Sequence, residues 1–149
     1  MINRRLVLTA AMVLASSFGL LAAEKKVQLK NLPPAVQKAI QEQTKGATVI
    51  GYVEEREDGK VSYEAETKVN GRTRDLLFDA AGTLIEVEEE VAPDTLPAAV
   101  QTALSTRGKV LKVEAVTKGS VVTYEAEVEK NGKKSEVVMD ARGNAIDRR

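Results

Sequence analysis

The sequence predicts an α+β protein of two tandem repeats, each one helix packed on a four-stranded antiparallel sheet. Three observations carry this. The two halves match each other in order, each half opens with a helical apolar stripe, and each then alternates apolar and polar residues around turn signals. The matching segments are Leu32-Pro33-Pro34-Ala35-Val36-Gln37 with Leu96-Pro97-Ala98-Ala99-Val100-Gln101, Tyr63-Glu64-Ala65-Glu66 with Tyr124-Glu125-Ala126-Glu127, Asn70-Gly71 with Asn131-Gly132, and Asp79-Ala80-Ala81-Gly82 with Asp140-Ala141-Arg142-Gly143. Such self-similarity points to units too small to bury an apolar face alone.

The chain opens with Arg4 and Arg5, followed by an apolar run to about Ala23. Basic residues, a short apolar stretch and small residues at its end are the parts of a secretory signal peptide. Residues 1–23 are assigned to it, with an uncleaved anchor as the alternative, since Leu20 or Leu21 fits the small-x-small rule loosely. No cysteine follows the run, which excludes a lipid-anchored cysteine. The first repeat is then expected over 24–92 and the second over 93–149, each numbered on the full chain.

Each helix is read from its stripe. Leu32, Val36, Ala39 and Ile40 fall at i, i+4, i+7 and i+8, and Leu96, Val100, Ala103 and Leu104 repeat the pattern. Pro33 and Pro97 suit a first helical position, and Gly46 and Gly108 suit helix ends. Asn-Gly is a strong signal for a two-residue hairpin turn, because both central residues need positive φ. Pairing outward from these turns sets Ala65 opposite Leu76, Tyr63 opposite Phe78, Ala126 opposite Val137 and Tyr124 opposite Met139, an apolar face for the helix to cover. The earlier hairpin has Lys118-Gly119 in the second half, which aligns Val113 with Tyr124. The first half has one residue more, Asp58-Gly59-Lys60; a three-residue loop would absorb it and align Val53 with Ala65. Last strands are expected from Thr83 to about Val91 and from Asn144 to Asp147, and the two sheets either join edge to edge or pack separately.

The Leu-Pro helix openings, Tyr-Glu-Ala-Glu strands, Asn-Gly turns and Asp-x-x-Gly turns resemble the PepSY-like family, related to the beta-lactamase-inhibitor-like proteins, over nearly all of the chain after Ala23. The resemblance implies exported proteins with a helix on a four-stranded sheet, often in tandem, that bind or inhibit extracellular or periplasmic enzymes. It brings no catalytic residues. The beta-lactamase inhibitors of similar layout carry disulfides, which this chain without cysteine cannot, and their target-contacting loops have no matching motif here.

Composition narrows the chemistry. Lysine plus arginine and aspartate plus glutamate number 22 each, and loss of Arg4 and Arg5 leaves a slightly acidic chain, which argues against nucleic acid as a partner. Histidine and cysteine are absent. That excludes a Ser-His-Asp triad, a thiol nucleophile and a His or Cys zinc site. No catalytic residue, metal site or cofactor is expected, and the predicted function is non-catalytic binding of an exported protein or basic peptide. A role as inhibitor or regulator of an exported hydrolase is the finer form of it. An envelope sensor or cation-binding accessory protein is the alternative. No membrane span is expected after leader cleavage.

The candidate surface is the sheet face away from the helices. The register expected above places Glu66 opposite Asp75, Glu54 opposite Glu64, and Glu127 opposite Glu136, with Glu125 the counterpart of Glu64. Like charges facing across a sheet are destabilising, so their recurrence suggests a face kept acidic for a basic protein patch, a cationic peptide or a divalent cation. The competing reading is a solvated face with Lys68 and Lys112 as counter-charges. Tyr52 is placed on the same face beside Glu66 with Leu77 nearby, as a candidate contact residue. Glu86, Glu88, Glu89 and Glu90 read as an acidic strand edge that discourages edge-to-edge pairing.

Overall fold

The computed structural model describes residues 23–57 and 59–147. The assigned leader therefore lies outside the described residues, apart from Ala23. Strands β1 (Ala23–Val27), β2 (Thr48–Glu57), β3 (Lys60–Val69), β4 (Arg72–Asp79), β5 (Leu84–Glu90), β6 (Lys109–Lys118), β7 (Val121–Lys130) and β8 (Lys133–Asp140) alternate with helices α1 (Pro34–Gln43) and α2 (Ala98–Ser105). The strands form one eight-stranded antiparallel sheet in sequence order, each bonded to the next.

This corrects the expectation of two repeats, each a helix on its own four-stranded sheet. The molecule is mostly sheet, with two short helices on one continuous surface. A strand edge is a row of unsatisfied backbone groups, and β5 satisfies its outer row with β6 through Val87↔Thr117, Glu88↔Val116, Glu89↔Ala115 and Glu90↔Glu114. The glutamates of β5 were expected to guard an edge, yet they lie in the interior of the sheet. β1, which was not anticipated, pairs with β2 from Ala23↔Arg56 to Val27↔Tyr52. Each helix thus bridges two neighbouring antiparallel strands, β1 to β2 and β5 to β6. The expected last strand over 144–147 is reduced to a bridge between Ala145 and Met139 and a bond from the Ile146 N–H to the Val138 carbonyl.

Both helices open directly after a proline, and the side chain of Gln37 or Gln101 donates back to the carbonyl of Leu32 or Leu96 at 2.8 Å. α1 buries Val36 and Ile40 against Tyr63, Ala65, Leu76 and Phe78. α2 buries Val100 and Leu104 against Val113, Ala126, Val128 and Met139. Full burial of such side chains stabilises by about 1.5–3 kcal/mol each. The turn before β5 is braced by Asp79, whose carboxylate accepts the N–H groups of Ala81 and Thr83, and Asp140 does the same for Arg142 and Asn144. Gly82 and Gly143 in these turns take φ of +83° and +79° and press against the backbone at the start of each helix.

The Asn-Gly hairpins adopt the expected register, with Tyr63↔Phe78, Ala65↔Leu76, Tyr124↔Met139 and Ala126↔Val137. The preceding hairpins do not. Glu57 pairs with Lys60 and Lys118 with Val121, so each turn holds two residues, and Val53 faces Glu64 while Val113 faces Ala126. The additional length of the first half lies partly in α1, with 10 residues against 8 in α2, and not in the turn. A shift of one reverses every side chain of a strand. Tyr52 therefore faces Ala65 and packs with the core under α1, and Glu54 faces Tyr63 instead of Glu64.

Candidate functional site

The face opposite the helices is built by period-two alternation along each strand. It holds Glu64 and Glu66 from β3, Asp75 and Leu77 from β4, Glu125 and Glu127 from β7 and Glu136 from β8, with Glu127 paired directly to Glu136. Two expected members are absent from it. Tyr52 is on the helix side, and so is Glu54, where it forms an ion pair with Arg56 at 2.8 Å.

Five further acids join the open face: Glu55 from β2, Glu86, Glu88 and Glu90 from β5, and Glu114 from β6. The signal for the β5 residues was legible, since Glu86, Glu88 and Glu90 flank the helix-side Val87 at every second position. It was hidden by treating β5 as a free edge. Glu55 was missed because of the register error in β2. Gly51 lies opposite Glu66, and its missing side chain leaves room for that carboxylate.

The face is concave. Val53 and Val116 both lie on it, yet they are only 6% and 3% exposed. A cleft of about 700 Å³ is lined by residues from β2 through β6. Strands stand about 4.8 Å apart, so β2 and β6 would be roughly 19 Å apart in a flat sheet. Only a sheet curled toward this side brings them to one cleft.

Curvature withdraws carboxylates from water, and burial disfavours their charged form. Burial pushes Glu64 up to about 9, assisted by its hydrogen bond with Glu55 and by repulsion from Asp75. The bond runs from the protonated Glu64 to the Glu55 carboxylate, since it lowers Glu55 while raising Glu64. Burial likewise pushes Glu88 up to about 7, with Glu86, Glu114, Glu125 and Asp75 adding repulsion. Asp75 is raised by burial, partly offset by the Thr67 N–H it accepts at 3.0 Å. Around this centre lie three ion pairs, Lys112 with Glu114, Lys118 with Glu86 and Lys134 with Glu127. The face therefore holds at its centre a Glu64 that keeps its proton near neutral pH and bonds to Glu55, with ion-paired carboxylates around it.

A consequence follows for stability. The unfolded chain releases the Glu64 proton near 4.5, while the folded chain holds it to about 9. The folded state binds more protons across that window, so the contribution of Glu64 is fully present below 4.5 and is lost as pH rises through 9. Melting temperature is expected to fall between pH 5 and pH 9, with Glu88 contributing between 4.5 and about 7. Glu64→Gln keeps a donor for Glu55 and cannot ionise. At pH 8 it is expected to exceed the native protein in stability by about 2 kcal/mol. Melts followed by circular dichroism at pH 5, 7 and 9 check this, and parallel curves for the two proteins would refute it.

Among the described residues, no group of three or more carboxylates is arranged to hold a metal ion, and no helix is long and apolar enough to cross a membrane. No curated protein matches the sequence. Solved structures do. A "putative periplasmic" protein from Bacteroides eggerthii superposes with a TM-score of 0.66 at 21% identity, over 78% of this chain and 86% of that one. A BLIP-like protein from Bacteroides fragilis gives 0.59 at 24% identity, over 78% and 84%. A DUF2874 family protein from Bacteroides uniformis gives 0.64 at 21% identity, over 77% and 86%. These likenesses establish the fold. The family model described as "Putative beta-lactamase-inhibitor-like, PepSY-like" matches residues 21–86 and again 61–147, almost the whole described chain, and the protein belongs to that family.

Proposed function

We propose that this chain is an exported, non-catalytic binding protein whose concave acidic face receives a basic surface or cationic peptide of another exported protein. The observation that supports this most is the gathering of acids from β2 to β8 on one side of a single sheet, several held half-buried beside like charges. Repulsion and desolvation both oppose that arrangement, and a cationic partner relieves the first. Export is supported by the leader-like opening and by the periplasmic description of the Bacteroides eggerthii relative. The finer role, inhibition or regulation of an exported hydrolase, draws on the family description and on the BLIP-like relative.

The test uses a fluorescein-labelled oligo-arginine peptide. Its affinity for the protein is expected to fall about tenfold between 50 and 200 mM NaCl, as charges at a rim are screened. A Glu66→Gln, Glu127→Gln variant should bind about fivefold more weakly and with a shallower salt dependence. Unchanged affinity and salt dependence in the variant would defeat the reading. A rise in melting temperature with millimolar calcium, without peptide binding, would favour a cation-binding accessory role instead. Retention of a hydrolase from the exported fraction by the native protein but not the variant would carry the inhibitor role.

A further inference from the structure

We propose that the cleft at one end of the concave face is an anchoring subsite for a single arginine side chain of an extended basic peptide, its stem on Leu77 and Ile85 and its guanidinium among Glu55, Glu57 and Glu86. This rests on the reading of the face as a binding surface and specifies what enters it.

Three observations point to this ligand. The first is a β-bulge. Leu77 pairs with Glu86 but Phe78 pairs with Leu84, which leaves Ile85 as an unpaired extra residue in β5. Bulges re-aim side chains and occur beside binding sites. Here Ile85 is left 40% exposed and lines the cleft together with Glu86 and Leu77. An exposed isoleucine beside acids gains from contact with methylene groups that carry a charge at their far end, which is the form of a long basic side chain.

The second is the placement of charge. Glu86 is fixed in the wall with 12% of its side chain exposed, while its partner Lys118, 3.0 Å away, is 66% exposed at the rim. The lysine can swing outward and leave the carboxylate to an incoming cation. Glu55 and Glu57 approach the same space from β2 and Asp79 from β4, and Lys60, paired with Glu57 across the strands, is the second lysine beside Lys118, leaving four carboxylates to two ammonium groups. A guanidinium has five donors in a planar fork and can bridge carboxylates on two sides, which a lysine ammonium does less well.

The third is size. About 700 Å³ is far more than a metal ion fills, and it leaves room for the peptide backbone on either side of one inserted side chain. Burial raises Glu55, which Glu24, Glu57, Glu64 and Glu86 also face, and an adjacent cation would draw it down again, so binding should strengthen as rising pH ionises it.

The experiment titrates acetyl-Gly-Arg-Gly-amide, and the same peptide with neutral citrulline in place of arginine, into isotopically labelled protein by NMR. The arginine peptide is expected to shift the amides of Leu77, Ile85 and Glu86, with the citrulline peptide at least tenfold weaker. Ile85→Ser, at an exposed position, and Glu86→Gln, which keeps the size of a wall side chain and removes its charge, should each weaken the arginine peptide about fivefold. Equal binding of the two peptides, or shifts confined to other parts of the face, would overturn the subsite. If the short peptide fails to bind while oligo-arginine still does, the subsite falls and the wider binding face stands. If neither binds, both fall.

Discussion

Replacing Phe78 with alanine is expected to lower the unfolding free energy by about 3–5 kcal/mol, a large part of the stability of an ordinary domain. Phe78 is fully buried beneath α1, in contact with the cluster of Val36, Ile40, Tyr63 and Leu76. Removing its ring opens a cavity that a helix of 10 residues, held at both ends, cannot collapse to fill. Met139 is fully buried in the cluster beneath α2, and Met139→Ala should cost about 2–5 kcal/mol. The two apolar clusters are separate, yet β5 and β6 join their strands into one sheet. Urea denaturation of Phe78→Ala should therefore show one transition shifted as a whole, by far-ultraviolet signal and by tyrosine fluorescence alike. Two transitions would mean that each helix unfolds with its own strands.

A second large loss is expected from Gly82→Ala. The added methyl would stand 2.7 Å from the Ala35 carbonyl oxygen and 2.9 Å from its carbon, both backbone atoms that cannot rotate away. The residue also sits at φ +83°, where an L side chain costs roughly 1–2 kcal/mol. Together with overpacking of about 1–3 kcal/mol, the loss should reach about 2–5 kcal/mol and lower the melting temperature by roughly 8 °C or more. Gly143→Ala should behave alike, since its methyl would meet the Ala99 carbonyl at 2.6 Å. Gly119→Ala is the control. It shares a positive φ of +59° but has open space around the added carbon, so it should lose only the conformational part. Equal losses at positions 82 and 119 would show that contact with the helix contributes nothing.

Much of the local structure was written in short-range chemistry. Asn70-Gly71 and Asn131-Gly132 permit a two-residue turn and little else, and their hairpins formed in the register those turns require. The helical stripes of Leu32, Val36, Ile40 and of Leu96, Val100, Leu104 are the buried ones. Register failed where the turn did not dictate it. Asp58-Gly59-Lys60 admits loops of two or three residues, and the longer choice turned Tyr52 and Glu54 to the wrong side. Whether the halves join edge to edge or pack separately stayed open in the sequence, because pairing of β5 with β6 depends on backbone groups that every sequence carries. The acidic face was read from Glu66, Asp75, Glu127 and Glu136. Its extension through Glu86 and Glu88 was written in their alternation around Val87 and was hidden by reading β5 as an edge, while Glu114 joined it only when β6 stood beside β5.

The strand order, in which every strand lies beside its neighbour in sequence, also bears on how the chain reaches this state. No strand waits for a distant partner. Closing a short loop takes tens of nanoseconds and forming a hairpin takes microseconds, and of the strand pairings only β1–β2 and β5–β6 must close a longer segment that carries a helix. A chain delivered amino end first, from a ribosome or through a pore, can zip each hairpin onto the growing edge as it emerges. The exposed edge at any moment is the template for the next strand of the same molecule, which leaves little time for a strand of another to take its place.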